Sequence, residues 1–381
     1  MKCINCGTDN NYKERITNSR HCKNCNHQFA FEPKLMYAVK FTDGFFAKLI
    51  SDISANNSLK FTEKQLFYIL NKRLLKKIPS YTSCLSSSLY FFGFIFAFIG
   101  VLFTRYTLGK VIIIIGMFML LGGTATYNFE NNQKIQKLIV TPEKFQEYLN
   151  RWQSINPIEG ILTLSKQENL PNSINSDITA YSFDRVVVCD SAEVANLLIA
   201  NNFHFENNSA VLSIDGYPEN IFDTVMQMLR RNDDLKVYVL HDASPRGVSV
   251  VNTLSTNPNW FANTSNSNVT IYDLGLLPRQ IFNNSNFFTQ VSEEFAAQAK
   301  ELSLDIKKDL TEDEIKWLEA GKYVELESFT PQKLLNVISQ GISKSRQSVG
   351  SDSVVDYGSG GDFSGGSDAC DITIFGDDCF G

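Results

Sequence analysis

Two short apolar runs, RVVVC at 185–189 and KVYVL at 236–240, decide the fold class of this chain. Each run is rich in β-branched residues, ends before an acidic residue, and is followed by a segment with helical spacing. The runs SAVLSI at 209–214 and VTIY at 269–272 fit the same pattern of strands. Continuous apolar strands that alternate with helices are typical of a parallel sheet with helices on its faces. The sequence therefore predicts an α/β domain with a parallel sheet over residues 140–345.

Acidic residues follow all four predicted strands. They are Asp190, Asp215, Asp242 and Asp273. Right-handed crossovers bring the carboxyl ends of parallel strands to one edge of the sheet, where open α/β sheets bind ligands. Converging carboxylates would suit Mg²⁺, whereas a strand-end Asp can also simply cap the helix that follows it. Both interpretations remain open from the residues alone.

Two sets of candidate residues lie at this edge. The candidate catalytic set, for a Mg²⁺ site, is Asp190, Glu193, Asp215 and Asp242. The candidate ligand-binding set is Asp242, Arg246 and Gly247. In the second set, the guanidinium of Arg246 and the backbone amides near Gly247 would hold a phosphate at the start of a helix.

The segment VYVLHDASPRGVSVVNTL, residues 237–254, resembles the strand–turn–helix of Toprim domains, in which a strand ends in D-x-D and a Gly begins the next helix. RVVVCDSAEVANLL, residues 185–198, resembles the earlier Toprim strand, which ends in an acid. The resemblance covers about 184–275 and implies a Rossmann/Toprim-like fold whose acids hold Mg²⁺ for phosphodiester chemistry. However, Ser244 stands at the second acid of D-x-D, and Asp190 stands where the family has Glu. These departures favour a binding module over an enzyme.

Four cysteines are spaced as two pairs, Cys3-x2-Cys6 and Cys22-x2-Cys25. Each pair forms a turn that aims two thiolates at one point, so the spacing predicts a structural zinc site with no open position for water. His21 and His27 adjoin the pairs and are alternative ligands. Residues 1–31 resemble a zinc ribbon, a family whose fold does not choose between DNA, RNA and protein as partners.

Two uncharged apolar blocks occupy residues 85–104 and 111–127, joined by the link RYTLGK. Blocks of about 17 to 20 apolar residues predict a transmembrane hairpin. Basic residues flank the blocks, which by the positive-inside rule predicts an integral membrane protein with both termini cytoplasmic. The flanking residues are Lys72, Arg73, Lys76, Lys77, Lys134 and Lys137.

The remaining segments are a helical unit at 32–83 and a tail at 346–381. The helical unit, with a possible winged-helix-like arrangement, includes a capping box from Thr62 to Gln65 and ends in the basic stretch Lys72–Lys77. That stretch could contact anionic lipid or nucleic acid. The tail is rich in Gly, Ser and Asp, a composition that predicts disorder.

The net charge of −6 argues against a broadly basic nucleic-acid binder. GxGxxG and P-loop sequences are absent, which disfavours dinucleotide and P-loop sites. We therefore expect a membrane-anchored cytosolic adaptor or regulatory protein with a protein partner. The competing hypotheses are a membrane-tethered, Mg²⁺-dependent phosphoryl-transfer enzyme or nuclease, and a nucleic-acid tether that acts through the ribbon and Lys72–Lys77.

Overall fold

A computed structural model gives the structure of the protein. It describes residues 1–36, 39–77, 81–102, 107–132, 138–162, 185–219, 221–229, 235–262, 269–282 and 287–348. The chain divides into two compact units. Met1–Asn71 and Leu138–Gly381 form the larger unit, and Lys72–Lys137 forms the smaller.

The N-terminal part of the larger unit is helical. Its elements are α1 (Tyr12–Thr17), α2 (Asp43–Ile53), β1 (Phe61–Thr62) and α3 (Glu63–Lys77). α2 ends before Asn56 and Asn57, whose positive φ angles cannot continue a helix. The predicted capping box before α3 is confirmed, because the Thr62 hydroxyl accepts from the Gln65 amide at 3.1 Å and the Gln65 side chain accepts from the Thr62 amide at 3.0 Å.

The predicted parallel sheet is confirmed. Its strands are β3 (Arg185–Cys189), β4 (Ala210–Ser213), β5 (Lys236–Leu240) and β6 (Thr270–Asp273), in the order β4-β3-β5-β6. The helices between them are α7 (Ala192–Ala200), α8 (Phe203–Asn207), α9 (Phe222–Leu229), α10 (Pro245–Val248) and α11 (Val250–Thr256). Both sheet faces are buried: Val186 and Val188 belong to one apolar cluster, and Val187 and Cys189 belong to another.

The segments before and after the hairpin pack together within the larger unit. Here α6 is Pro142–Gln153 and β2 is Ile161–Leu162, which pairs in parallel with β1. The buried Asn71 carboxamide accepts from the amides of Ile139 and Val140 at 3.0 and 2.9 Å. Phe31 stacks on Trp152 of α6, with ring centroids 5.8 Å apart. The chain before the hairpin therefore packs against the chain after it, in the same compact unit as the sheet.

The C-terminal elements cover one end of the sheet. They are β7 (Gln290–Val291), α12 (Glu293–Lys300), α13 (Leu304–Lys308), α14 (Glu312–Glu319), β8 (Lys322–Tyr323) and α15 (Pro331–Ser348). A capping box from Thr311 to Glu314 starts α14, and Gly321, at φ 72°, follows its end. An antiparallel bridge pairs Val324 with Ala243, just beyond the carboxyl end of β5. The segment after β8 therefore lies across the edge where ligands were expected.

The smaller unit is a helical hairpin of α4 (Tyr81–Leu102) and α5 (Thr107–Asn132). The helices are antiparallel, because Gly93 faces Leu120 while Gly100 faces Ile113. The hairpin itself is thus present, with bounds that differ from the predicted 85–104 and 111–127.

The prediction that this hairpin crosses a membrane is wrong. Within the described parts of the chain, no helix combines the length and apolarity that a membrane span requires. The expectations of a membrane partner and of an integral membrane protein with both termini cytoplasmic are corrected with it.

Part of the predicted tail, 346–381, overlaps the end of α15 at Ser348, so the helix extends further than the sequence indicated. The predicted disorder from 349 onward lies outside the described residues.

Candidate metal centre and the carboxyl edge of the sheet

The two cysteine pairs form near-identical turns. In the first, the Gly7 amide donates to the Cys3 carbonyl at 2.9 Å; in the second, the Asn26 amide donates to the Cys22 carbonyl at 3.0 Å. Gly7 and Asn26 occupy the same place in their turns, and both have positive φ, at 72° and 57°. Gly and Asn are the residues that adopt this conformation most readily, which explains their positions.

The four thiols come together as the spacing predicted. The Sγ atoms of Cys3, Cys6, Cys22 and Cys25 all lie within 4.8 Å of one another. Cys3 and Cys25 are 3.6 Å apart between their Sγ atoms, as are Cys6 and Cys22. A tetrahedral ion with metal–sulfur bonds of ~2.3 Å needs sulfurs ~3.8 Å apart. The cluster is consistent with a zinc-ribbon-like motif and could hold a metal ion such as zinc.

Polar neighbours favour thiolates on part of this cluster. The Thr8 hydroxyl, followed by the Thr8 amide, lowers the pKa of the Cys6 thiol to about 5. The Asn10 carboxamide donates to the Cys22 sulfur at 3.4 Å. Burial raises the pKa of Cys3 to about 12. Cys3 would therefore be the thiol that depends most on a bound cation for its deprotonation.

Two buried carboxylates hold the cysteine-bearing segment in place. Glu32 receives two hydrogen bonds from the Arg15 guanidinium, at 2.7 and 2.9 Å, and both side chains are buried. Asp43, at the start of α2, accepts from the amides of Ala30 and Phe31 at 2.9 and 2.8 Å. The cysteine cluster is therefore built on a fixed base, as a structural metal site would require.

At the sheet, the acids after β3 and β5 are linked to each other and to the C-terminal segment. The Asp190 carboxylate accepts from the Asp242 amide at 2.7 Å, and the Asp242 carboxylate accepts from the Leu326 amide at 2.7 Å. Asp190 is 5% exposed, and its second oxygen has no hydrogen-bond partner. Burial raises the pKa of Asp190, because it disfavours the charged carboxylate.

Residues from outside the sheet complete an acidic cluster, which we define as Asp190, Asp242, Glu325 and Glu327. The Lys64 ammonium of α3 lies 2.8 Å from Glu325 and 3.8 Å from Glu327. Burial raises the pKa of Asp242 well above its usual range, and the charges of Asp190, Glu327 and Glu325 raise it further. Burial also raises the pKa of Glu327, to about 7, although Lys64 opposes the shift. Lys64 thus pairs with two of the four acids, Glu325 and Glu327.

Tyr68 extends this cluster. Its hydroxyl donates to Glu325 and accepts from the Gln290 side chain, the latter at 2.6 Å. Sequence reasoning missed Lys64, Tyr68, Glu325 and Glu327 as partners of the sheet-edge acids. Glu325 precedes a short 3-10 helix, Leu326–Ser328, and no local pattern in the sequence places this segment beside the sheet.

A buried histidine occupies the neighbouring strand end. His241 Nε2 lies 3.0 Å from the Asp273 carboxylate, and His241 Nδ1 lies 2.8 Å from the Asp242 carbonyl. Burial alone would lower the pKa of His241, but the charge of Asp273 outweighs it and raises the pKa to about 9. Any side chain at Gly275 would overlap the His241 ring. The ion pair and the glycine therefore form one packed feature.

The candidate ligand-binding residues have structural partners of their own. A Cβ at Gly247 would overlap the Asp242 carbonyl oxygen, and the Gly247 amide already donates to the Ser244 hydroxyl at 3.0 Å. Arg246 is exposed and pairs with Asp215, its Nη2 lying 2.5 Å from the carboxylate. A phosphate site at the start of α10 has little support in this geometry, since that helix has four residues.

The candidate catalytic residues are not brought together as a set. Asp190 and Asp242 are neighbours, Asp215 is paired with Arg246, and Glu193 is exposed in the first turn of α7. Among the described residues, the four cysteines form the one group of three or more metal-ligating side chains whose donor atoms all lie within 4.8 Å. The acids of the sheet edge do not meet that distance.

Comparison of the chain with protein-family models finds no match, and comparison with curated proteins finds none. No family therefore supports the Toprim resemblance, and the function has to be argued from the residues themselves.

Proposed function

We propose that this chain is a zinc-stabilised adaptor or regulatory protein whose α/β domain binds a partner without catalysing a reaction. The observation that carries the proposal is the Asp242 carboxylate, which accepts from the Leu326 amide at 2.7 Å. Through this bond and the Ala243–Val324 bridge, the chain itself covers the edge at which an open sheet would bind a substrate.

The chemistry of the covered acids supports a non-catalytic role. Mg²⁺ prefers carboxylate oxygens that are ionised and open to solvent. Asp190 and Asp242 each accept from a backbone amide, and burial raises both of their pKa values. Ser244, at the second acid of the D-x-D pattern, caps α10 through its hydroxyl instead. The residues that would make the degenerate Toprim-like site catalytic therefore have structural roles instead.

A surface for the partner remains beside the covered edge. Arg246 and Asp215 form an ion pair whose side chains are 55% and 58% exposed. An exposed guanidinium offers planar, directional donors to a carboxylate of another protein. We infer that a protein partner binds this ion pair. We also infer that the zinc site stabilises the N-terminal fold and takes no part in a reaction.

The decisive experiment compares catalysis with binding in the full-length, zinc-loaded chain. We expect no saturable Mg²⁺ binding in calorimetry, and no hydrolysis of bis(p-nitrophenyl) phosphate above the buffer rate. Asp242→Asn keeps an acceptor for the Leu326 amide, so it should leave the fold intact. Mg²⁺-dependent hydrolysis that Asp242→Asn abolishes would overturn the proposal in favour of the phosphoryl-transfer enzyme.

The binding arm uses charge reversal of the exposed pair. Arg246→Glu should lose the partner captured by the wild-type chain from a cell extract. Lys308→Glu is the matched control, because Lys308 also belongs to an exposed ion pair, with Asp305, on α13. Equal capture by both variants would place the partner elsewhere and reject the role of this edge.

A further inference from the structure

The outer surface of the hairpin, defined as the exposed residues of 88–102 and 109–124, is apolar. Five Phe side chains are between 51% and 71% exposed; they are Phe91, Phe92, Phe94, Phe98 and Phe118. Aliphatic side chains between 51% and 67% exposed adjoin them; they are Val101, Leu102, Val111, Ile114, Met117 and Leu121. Isolated exposed apolar residues are ordinary, but a contiguous surface of this kind marks an interaction site.

The glycines of the hairpin lie at the contact between its two helices. A Cβ at Gly116 would lie 2.7 Å from the Ala97 nitrogen, and one at Gly100 would lie 2.6 Å from an Ile113 side-chain carbon. These glycines allow α4 and α5 to approach each other closely. A further helix would therefore have to pack against the large side chains of the outer surface, as ridges fit into grooves.

Two exposed ridges run along the outer surface. Phe91, Phe94 and Phe98 follow one another at helical spacing on α4, and Ile114, Phe118 and Leu121 do the same on α5. A two-fold axis would set the α4 ridge of one hairpin against the α5 ridge of another, and would do so twice. The surface is therefore self-complementary in a way that closes into a four-helix bundle.

The area is sufficient for a stable dimer. With ~150–250 Å² for each fully exposed aromatic side chain and somewhat less for aliphatic ones, the large residues together expose on the order of 1,200 Å². A stable interface takes about 800 Å² from each partner, so covering most of this surface reaches that size.

The charges on this surface do not favour a different protein as its partner. Lys110 is the one charged residue among the side chains described in the hairpin. A surface with a single charged residue offers little electrostatic complementarity with which to select another protein. We propose that a second copy of this chain covers the outer surface, so that two hairpins form an antiparallel four-helix bundle. This inference does not depend on the role proposed for the α/β domain.

The first test is the mass of the full chain in sedimentation equilibrium. The wild type should have twice the chain mass of 43.0 kDa. Phe94→Ser combined with Phe98→Ser should weaken dimerisation roughly a hundredfold, as the loss of two central aromatic contacts does in other interfaces. Phe205→Ser, at a Phe that is 74% exposed outside the hairpin, is the matched control and should leave the dimer intact. A monomeric wild-type chain at every concentration would overturn the proposal.

The second test locates the contact without relying on a destabilising variant. A photo-crosslinking benzoylphenylalanine replaces Phe94 in a mixture of isotope-labelled and unlabelled full-length chains. Mixed-label crosslinks should form to 114–121 of the second copy. The same probe at Leu304, which is 78% exposed on α13, should give none. Crosslinks confined to one chain, or formed only to other molecules, would reject the second copy as the occupant.

Discussion

The cysteine cluster and the acidic cluster are both convergent sets of ligand-type side chains, but they are assembled differently. All four cysteines lie between Cys3 and Cys25, and their turns are fixed by bonds within each turn. The acidic cluster joins Asp190 and Asp242 to Glu325 and Glu327, with Lys64 from before the hairpin as the counter-ion. A local site can be read from spacing, whereas a site assembled from distant segments depends on the whole fold.

The largest expected effect tests the local site. Cys25→Ser in the full chain should release the metal and unfold residues 1–31, because the binding energy of a structural zinc, on the order of 10 kcal/mol, is largely folding energy. Elemental analysis should find one zinc per wild-type chain and none in the variant. Hydrogen exchange should show lost protection confined to the ribbon.

His21→Ala is the control for this loss. His21 adjoins Cys22, but its ring Nδ1 lies 3.2 Å from the Asn18 carbonyl. We therefore expect no role for His21 as a ligand of the cysteine cluster. This variant should keep its zinc. Reduced wild-type protein without zinc would contradict the assignment of the metal.

Much of the fold could be predicted because its determinants are local. The apolar runs of the sheet, the capping residues Thr62 and Thr311, and the Cys spacing act within one turn or one strand. Neither the pairing of Asp242 with Leu326 nor the approach of Lys64 to Glu325 leaves a local trace. These contacts arise only when the C-terminal segment crosses the sheet.

The membrane prediction failed for a different reason. An apolar run indicates that a helix is shielded from water, but it does not indicate whether lipid or protein shields it. Part of the run at 85–104 packs inside the hairpin, where Gly93 and Gly100 approach α5. Apolar composition alone therefore cannot distinguish a membrane span from a helix that packs against protein.

The next largest effect tests whether the sheet edge is as rigid as the cysteine turns. Gly247→Ala should lower the free energy of unfolding by about 3 kcal/mol, because its Cβ would overlap the backbone carbonyl oxygen of Asp242, which cannot rotate away. Chemical denaturation measures this loss. Gly122→Ala is the control, since a Cβ there meets no atom within 4 Å. Equal stability of the two variants would show that the edge can relax.

The acidic cluster also predicts that stability depends on pH between 4.5 and 7. Burial raises the pKa of Glu327 from 4.5 to about 7. The folded protein then binds this proton more tightly than the unfolded chain does. Its contribution to stability is complete below pH 4.5 and is lost as the pH rises toward 7, by an amount on the order of 2 kcal/mol.

Glu327→Gln isolates this contribution, because Asp190, Asp242 and His241 have raised pKa values of their own and also titrate. The difference in unfolding free energy between wild type and variant should change between pH 4.5 and 7 and level off above that range. A difference that stays constant across the range would show that Glu327 is ionised throughout.

A smaller effect separates the charge of Asp242 from its hydrogen bond. Asp242→Ala removes the acceptor of the Leu326 amide and should cost about 1–3 kcal/mol. Asp242→Asn retains an acceptor and removes a charge from a crowded cluster, so it should cost less. Equilibrium unfolding of the two variants tests the order. If Asn were the more damaging residue, the negative charge itself would matter, and a bound cation would have to be reconsidered.

The smallest expected effect concerns the exposed pair of Arg246 and Asp215, where function and stability should separate. Exposed ion pairs contribute about 0–1 kcal/mol, because water screens the charges and two mobile side chains lose entropy when they pair. Arg246 also donates to the Asp190 carbonyl at 3.1 Å, which places its loss toward the upper part of that range. Arg246→Ala should therefore change the unfolding free energy little more than Lys308→Ala does. A loss of several kcal/mol in unfolding free energy would mean that Arg246 stabilises the sheet edge as Gly247 does. Arg246 would then be a structural residue, and its exposure would not indicate a binding surface.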